Sequence, residues 1–70
     1  MKPLSYRDTI KKARKAGFAF RRNTGGTHEI WWSEKKRKTC VIPHHKEIKP
    51  GTLKSIIKQM GLTTEEFNKL

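Results

Sequence analysis

The sequence predicts a small α+β domain in which a three-stranded antiparallel sheet carries two helices on one face, in the order α-β-β-β-α. Two segments, near residues 5–16 and 50–60, carry apolar side chains at helical spacing. The segments between them are rich in β-branched and aromatic residues and are separated by short turns. Short connections favour an antiparallel meander, so we expect one domain that spans residues 1–70.

The first helix is predicted from its cap and from its periodicity. Ser5 is followed three residues later by Asp8, which resembles a capping box at a helix start. From Tyr6 to Gly17, small and apolar residues recur at spacings of four, three and four, which places them on one helical face. Because Gly17 is a natural stop, we expect a helix over residues 5–16.

The first and third strands are predicted from alternation and β-branched character. Phe18 and Phe20 alternate with small or charged residues, which indicates a half-buried strand over residues 18–22. The third strand is predicted over residues 39–42, where β-branched residues cluster, and it should end at Pro43. A charged segment between the second and third strands is expected to form the tip of a hairpin.

The second strand is predicted over residues 27–32, but its orientation stays open. Alternate residues of a strand point to opposite faces, so this segment has two candidate core faces. One face carries His28, Ile30 and Trp32, and the other carries Glu29 and Trp31. Both faces contain large apolar side chains, so the sequence does not choose between them.

The C-terminal part of the chain is predicted to be helical. A polar connection over residues 44–49 leads into a stripe with spacing i, i+3, i+4, i+7, formed by Leu53, Ile56, Ile57 and Met60. Gly61 should end this helix, and Thr63 with Glu66 forms a second capping box that opens a short terminal turn. The resulting element order is that of double-stranded-RNA-binding domains, an analogy of fold that does not fix function.

The charge of the chain points to nucleic acid. The sequence has 17 Lys and Arg residues against 6 Asp and Glu residues, which gives a net charge of +11 in 70 residues. Cys40 is the only cysteine, so no intrachain disulfide forms, and no apolar run is long enough to span a membrane. The N-terminus lacks the apolar region of a signal peptide, so we expect a cytoplasmic protein without membrane association.

A glycine turn followed by a histidine is the most informative local motif. Gly25 and Gly26 indicate a tight turn or a close approach of the backbone to a ligand. They place His28 at the start of a strand, where a residue that titrates near neutral pH could transfer a proton in phosphodiester cleavage. The alternative is a histidine that only forms hydrogen bonds in a small core, and the residues alone leave both readings open.

The glycine turn, the segment Val41-Ile42-Pro43-His44-His45 and the segment Gly51-Thr52-Leu53-Lys54-Ser55-Ile56-Ile57-Lys58-Gln59 together resemble the HicA toxins. These are small mRNA interferases of type II toxin–antitoxin systems, and the resemblance covers essentially the whole chain. Where the family often has Gly-Ser, this chain has Gly26-Thr27, which keeps a hydroxyl group. The resemblance implies a fold like that of double-stranded-RNA-binding domains and endonucleolytic cleavage of RNA. It also implies His28 as the catalytic histidine and a HicB antitoxin that covers the active site in a hetero-oligomer.

Further residues are candidates for the site. His44 and His45 could supply a second acid or base, although a histidine in such a polar loop is more often simply solvated. Phosphate-binding candidates are backbone amides or side chains near the turn and a charge run: Arg22, Gly25, Gly26, Thr27, Lys35, Lys36, Arg37 and Lys38. Cleavage through the ribose 2′-OH needs no cofactor, and Cys40 with His44 and His45 lacks the paired spacing of a zinc site, so no metal is expected.

Two other functions compete with a nuclease. One is an RNA-binding module of the same fold without catalysis, whose binding would survive His28→Ala. The other is a structural or interaction protein whose charge serves assembly on ribosomal RNA or an acidic protein, with association that depends only on salt.

Overall fold

The protein was analysed as a computed structural model that describes residues 1–70. It contains two short strands, three longer strands and three helices. In chain order these are β1 (Leu4–Ser5), α1 (Tyr6–Lys15), β2 (Ala19–Asn23), β3 (His28–Ser33), β4 (Lys38–Pro43), β5 (Glu47–Ile48), α2 (Pro50–Met60) and α3 (Thr64–Asn68).

The predicted three-stranded meander is confirmed. Strands β2, β3 and β4 lie side by side in that order and are antiparallel, with Trp31 opposite Phe20 on one side and opposite Cys40 on the other. Helices α1 and α2 cover one face of this sheet, as predicted. A single core of 11 buried residues joins this face to the helices, and it includes Trp31, Ile42 and Leu53.

The structure decides the orientation of β3. Glu29, Trp31 and Ser33 are buried beneath the helices, whereas His28 and the two residues that share its face are exposed or partly buried. Trp31 is 1% exposed and belongs to the same core cluster as Ala13 of α1. His28 therefore lies on the open face.

One strand prediction is wrong in part. Phe18 is buried but precedes β2, and all five residues of β2 are exposed, including Phe20 at 49%, so this strand has no buried face. The pairing of β2 with β3 shifts between Phe20 and Arg22, so regular alternation does not continue beyond Phe20. Strand β2 is also an edge strand of the sheet, so Phe20 touches Trp31 edge-on at a centroid distance of 6.0 Å and otherwise faces solvent.

The expectation of a purely polar connection over residues 44–49 is also wrong. Ile48 is buried, and β5 pairs antiparallel with β1, with Leu4 opposite Ile48. Each of these strands is two residues long and finds its partner some 40 residues away, so local periodicity carries no signal for them. This small ribbon anchors the start of α1 beside the end of β4.

The helix ends follow their predicted chemistry. The Ser5 hydroxyl oxygen accepts a hydrogen bond from the backbone N–H of Asp8 at 3.0 Å, which caps α1. Gly61 ends α2 with a φ of 76°, in the left-handed region that favours glycine. At α3 the capping box between Thr63 and Glu66 is complete.

Candidate active site

His28 is the first residue of β3, and its side chain is exposed. The turn that precedes it is closed by Thr24, whose backbone N–H and hydroxyl both donate to the carbonyl oxygen of His28, at 3.1 and 3.2 Å. The backbone of His28 is thus fixed while its imidazole has no hydrogen-bond partner within the protein. Such a side chain is positioned to meet a ligand.

The glycine turn has no packing reason to contain two glycines. Gly25 has a φ of 92°, which a side chain would strain, but Gly26 has no left-handed φ. A Cβ added at either position would meet no other atom within 4 Å. The space beside the Gly26 backbone is therefore open to a ligand rather than filled by the fold.

Two arginines lie on the open face of the sheet, Arg22 near His28 and Arg21 further along β3. Arg22 pairs with Ile30, which shares the face of His28, so Arg22 is a diagonal cross-strand neighbour of the histidine. Arg21 lies over the Trp32 ring at 5.4 Å from its centroid. The open face thus combines positive charge with an aromatic surface.

On the opposite face, Glu29 is a buried carboxylate with two hydrogen-bond donors and a close contact to a histidine. Its side chain is 7% exposed. Its Oε1 accepts from the Tyr6 hydroxyl at 2.6 Å and from the Trp31 indole N–H at 3.1 Å. Its Oε2 lies 3.2 Å from Nδ1 of His44. These partners compensate the cost of burying the charge.

Three contacts fix His44: the Glu29 carboxylate, the Tyr6 ring and the carbonyl oxygen of Thr27. Its imidazole stacks on the Tyr6 ring with centroids 4.0 Å apart and an interplanar angle of 11°. Its backbone N–H donates to the carbonyl oxygen of Thr27 at 2.6 Å. The His44 side chain is nevertheless 61% exposed, so it presents an oriented ring to solvent.

His45 is less constrained than His44. Its Nε2 lies 3.3 Å from the Thr27 hydroxyl oxygen, and both residues are exposed. The structure therefore brings together the turn and all three histidines of the chain at one end of the sheet, since His28 pairs with Pro43, the residue before His44.

The basic segment over residues 35–38 does not lie at this end of the sheet. It forms the turn of the β3–β4 hairpin and the start of β4, at the end of β3 opposite to His28. The five residue steps from His28 to Ser33, at about 3.3 Å each, put the two ends of β3 about 16 Å apart. Lys36 donates to the carbonyl oxygen of Met60 at 3.3 Å, at the C-terminal end of α2. Arg37 has a φ of 58° and lies 3.8 Å from the Glu34 carboxylate. The Lys35 and Lys38 side chains are exposed.

The ionisation of two buried or half-buried groups is perturbed. Burial, with the hydrogen bond to Glu29 as a second cause, raises the pKa of Tyr6 to about 12. Tyr6 therefore stays a neutral hydrogen-bond donor at physiological pH. Burial alone raises the pKa of the Cys40 thiol to about 12, so this thiol is a core group and not a nucleophile.

Glu29 and Tyr6 belong to the site but were not predicted from the sequence. Tyr6 is the first residue of the apolar face of α1, so the sequence indicated a core residue and not a hydrogen-bond donor to Glu29. A carboxylate on the same face as Trp31 was the one available signal, because a buried strand face rarely carries a charge without a partner.

A comparison with known protein families shows which family the chain resembles. The family model described as "HicA toxin of bacterial toxin-antitoxin" matches residues 6–62, from the start of α1 to just beyond α2. No curated protein matches the chain. None of the helices has the length and hydropathy to cross a membrane.

Proposed function

The chain belongs to the HicA toxin family, and we propose that it is a metal-independent endoribonuclease that cleaves mRNA in the cytoplasm. The observation that supports this proposal best is the exposed His28, fixed at its backbone, beside an open glycine turn and with Arg22 as its diagonal cross-strand neighbour. These are the parts that cleavage of a phosphodiester needs: a proton-transfer group, space for the phosphate and a positive charge.

The reaction proposed for this site uses the ribose 2′-OH as the nucleophile. His28 acts as general acid or base, and Arg22 stabilises negative charge that develops on the phosphate. The amides of Gly25 and Gly26 donate to a phosphate oxygen in this proposal, which is supported by the open space beside the turn. The distant charges of Lys35 and Arg37 contribute to backbone contacts that are independent of sequence.

The partner proposed for the protein is a HicB-like antitoxin. Its surface would carry acidic groups, because the toxin has a net charge of +11. By covering His28 and the glycine turn, it would exclude RNA from the open face. The active toxin would then be the free chain.

The test is a cleavage assay of the purified chain on a long single-stranded RNA with EDTA present. We expect the parent to cleave, and His28→Ala to bind RNA with similar affinity but to cleave at least about 100-fold more slowly. If both proteins bind RNA and neither cleaves it, the chain is an RNA-binding module. If both cleave equally, His28 is not the catalytic residue.

A further inference from the structure

We propose that His44 is the general base of this ribonuclease and that Glu29 and Tyr6 are the residues that position it. This inference depends on the proposed nuclease function, and it assigns a second catalytic residue to the same site. It is supported by a contact that His28 and His45 do not have: a buried carboxylate at 3.2 Å from a ring nitrogen.

The contact with Glu29 determines which nitrogen of His44 can react. A carboxylate accepts hydrogen bonds and does not donate them, so the Nδ1 atom that faces it carries a proton. In the neutral imidazole the lone pair therefore lies on Nε2. The Glu29 carboxylate also lies next to the ring on which positive charge develops when Nε2 takes up a proton.

Hydrogen bonds to other residues fix the orientation of the Glu29 carboxylate. Its other oxygen is held by Tyr6 and by the Trp31 indole, and the Trp31 ring is part of the core. The Tyr6 ring supports the imidazole from one side by stacking. The two positioning residues thus fix both the tautomer and the plane of the ring before substrate arrives, which is the condition for efficient proton transfer.

The two histidines approach the end of the sheet from opposite faces. His28 begins on the open face, whereas His44 contacts Glu29 on the helix-covered face. In phosphoryl transfer the attacking and leaving oxygens lie roughly in line, on opposite sides of phosphorus. A phosphate seated beyond the ends of β3 and β4, beside Gly26, would have one histidine on each side.

The balanced reaction assigns both protons. Nε2 of His44 takes the proton of the 2′-OH, and O2′ forms a bond to phosphorus. The bond between phosphorus and O5′ breaks, and the His28 imidazolium gives its proton to O5′. The products are a 2′,3′-cyclic phosphate and a 5′-OH, and exchange with water restores both histidines. No oxidant, reductant or further reactant is needed.

The first test compares His44→Ala with His45→Ala in single-turnover cleavage and in RNA binding. We expect His44→Ala to bind RNA within about three-fold of the parent and to cleave about 100-fold more slowly or worse. The cleavage rate of His45→Ala should fall by less than that of His44→Ala. Cleavage by His44→Ala near the rate of the parent would overturn the proposal, and so would a loss that lies entirely in RNA affinity.

The second test distinguishes the general base, His44, from the general acid, His28. It uses a short RNA with a sulfur atom in place of O5′ at the cleavage site, because a thiolate leaves without a proton. We expect this substrate to restore cleavage by His28→Ala and not by His44→Ala. Rescue of His44→Ala instead would refute its role as the base, while the nuclease function would stand. A parent that cleaves no RNA would overturn both.

The third test examines Glu29 and adds to cleavage a readout that does not depend on catalysis, the tautomer of His44. In Glu29→Gln, the donor-only Trp31 N–H keeps the amide oxygen on its side, so the amide NH₂ turns to His44. We expect nitrogen chemical shifts of His44 to change from the Nδ1–H to the Nε2–H tautomer and cleavage to fall at least ten-fold. Glu47→Gln, on an exposed carboxylate, is the matched control and should change neither. An unchanged tautomer in Glu29→Gln would disprove positioning by Glu29.

Discussion

The backbone N–H of His44 donates a hydrogen bond of 2.6 Å to the carbonyl oxygen of Thr27. This bond joins the residue after β4 to the residue before His28. It holds the glycine turn and the two histidines as one unit at the end of the sheet. The hydrogen bond connects segments that are 17 residues apart and therefore makes the site a product of strand pairing.

The two glycines of the turn should respond differently to substitution by alanine. Gly25→Ala should lower the free energy of unfolding by about 1–2 kcal/mol, because an L-residue is strained at a φ of 92°. Gly26→Ala should change it by less than about 0.5 kcal/mol, because the added methyl group meets nothing. Urea denaturation measures both.

If the Gly26 backbone contacts phosphate, Gly26→Ala should nevertheless reduce RNA affinity and cleavage, since the methyl group would occupy the space of the ligand. Parent-like affinity and cleavage in Gly26→Ala would mean that RNA does not approach the turn closely.

Arg22 should contribute to RNA binding in a salt-dependent manner. Arg22→Ala removes one cation beside His28, so we expect weaker binding to all RNA sequences and a reduction of about one in the slope of log affinity against log salt. Arg7→Ala, on the exposed side of α1, is the comparison. Equal losses in the two variants would indicate that only net charge matters.

Lys36 should stabilise the fold. It donates to the Met60 carbonyl oxygen at the negative end of α2 and lies 5.8 Å from the Phe18 ring centroid. Lys36→Met keeps the apolar stem but removes the charge, and it should lower the free energy of unfolding by about 0.5–1 kcal/mol. Lys35→Met, at the exposed neighbour, should have no measurable effect on stability. The two are compared by thermal denaturation, and equal melting temperatures would refute this role.

Cys40 should make the protein less stable at alkaline pH. Burial raises the pKa of the Cys40 thiol from 9.0 to about 12, so the folded chain keeps a proton that the unfolded chain loses as the pH rises. This contribution is fully present below pH 9 and is lost as the pH rises towards 12, at about 1.4 kcal/mol per pH unit. Cys40→Ala should reduce the slope of the free energy of unfolding against pH in that window. An unchanged slope would contradict a protonated buried thiol.

Much of the molecule follows from local sequence. The caps at Ser5 and Thr63, the stop at Gly61 and the apolar stripe of α2 each depend on residues within one or two helical turns, so they were predicted correctly. The glycine turn and the strand start at His28 are local as well. The net charge is a property of composition alone.

The tertiary structure decided the features that depend on partners distant in sequence. The period of a strand is two, so whether Glu29 or His28 faces the core depends on which face the helices cover. The β1–β5 ribbon, the burial of Ile48 and the contact of Lys36 with α2 all require segments that meet only in the folded chain.

The dependence on partners that are distant in sequence also explains why the three histidines have different contacts. In the sequence, His44 and His45 are adjacent and equivalent, and a carboxylate 15 residues away gives no sign of belonging to either. Pairing of β3 with β4 brings Glu29 to His44, and packing of α1 adds Tyr6 to both. Sequence alone determined the fold class and the residue types available for chemistry. The antiparallel register and the helix-covered face determined which histidine acquired a carboxylate.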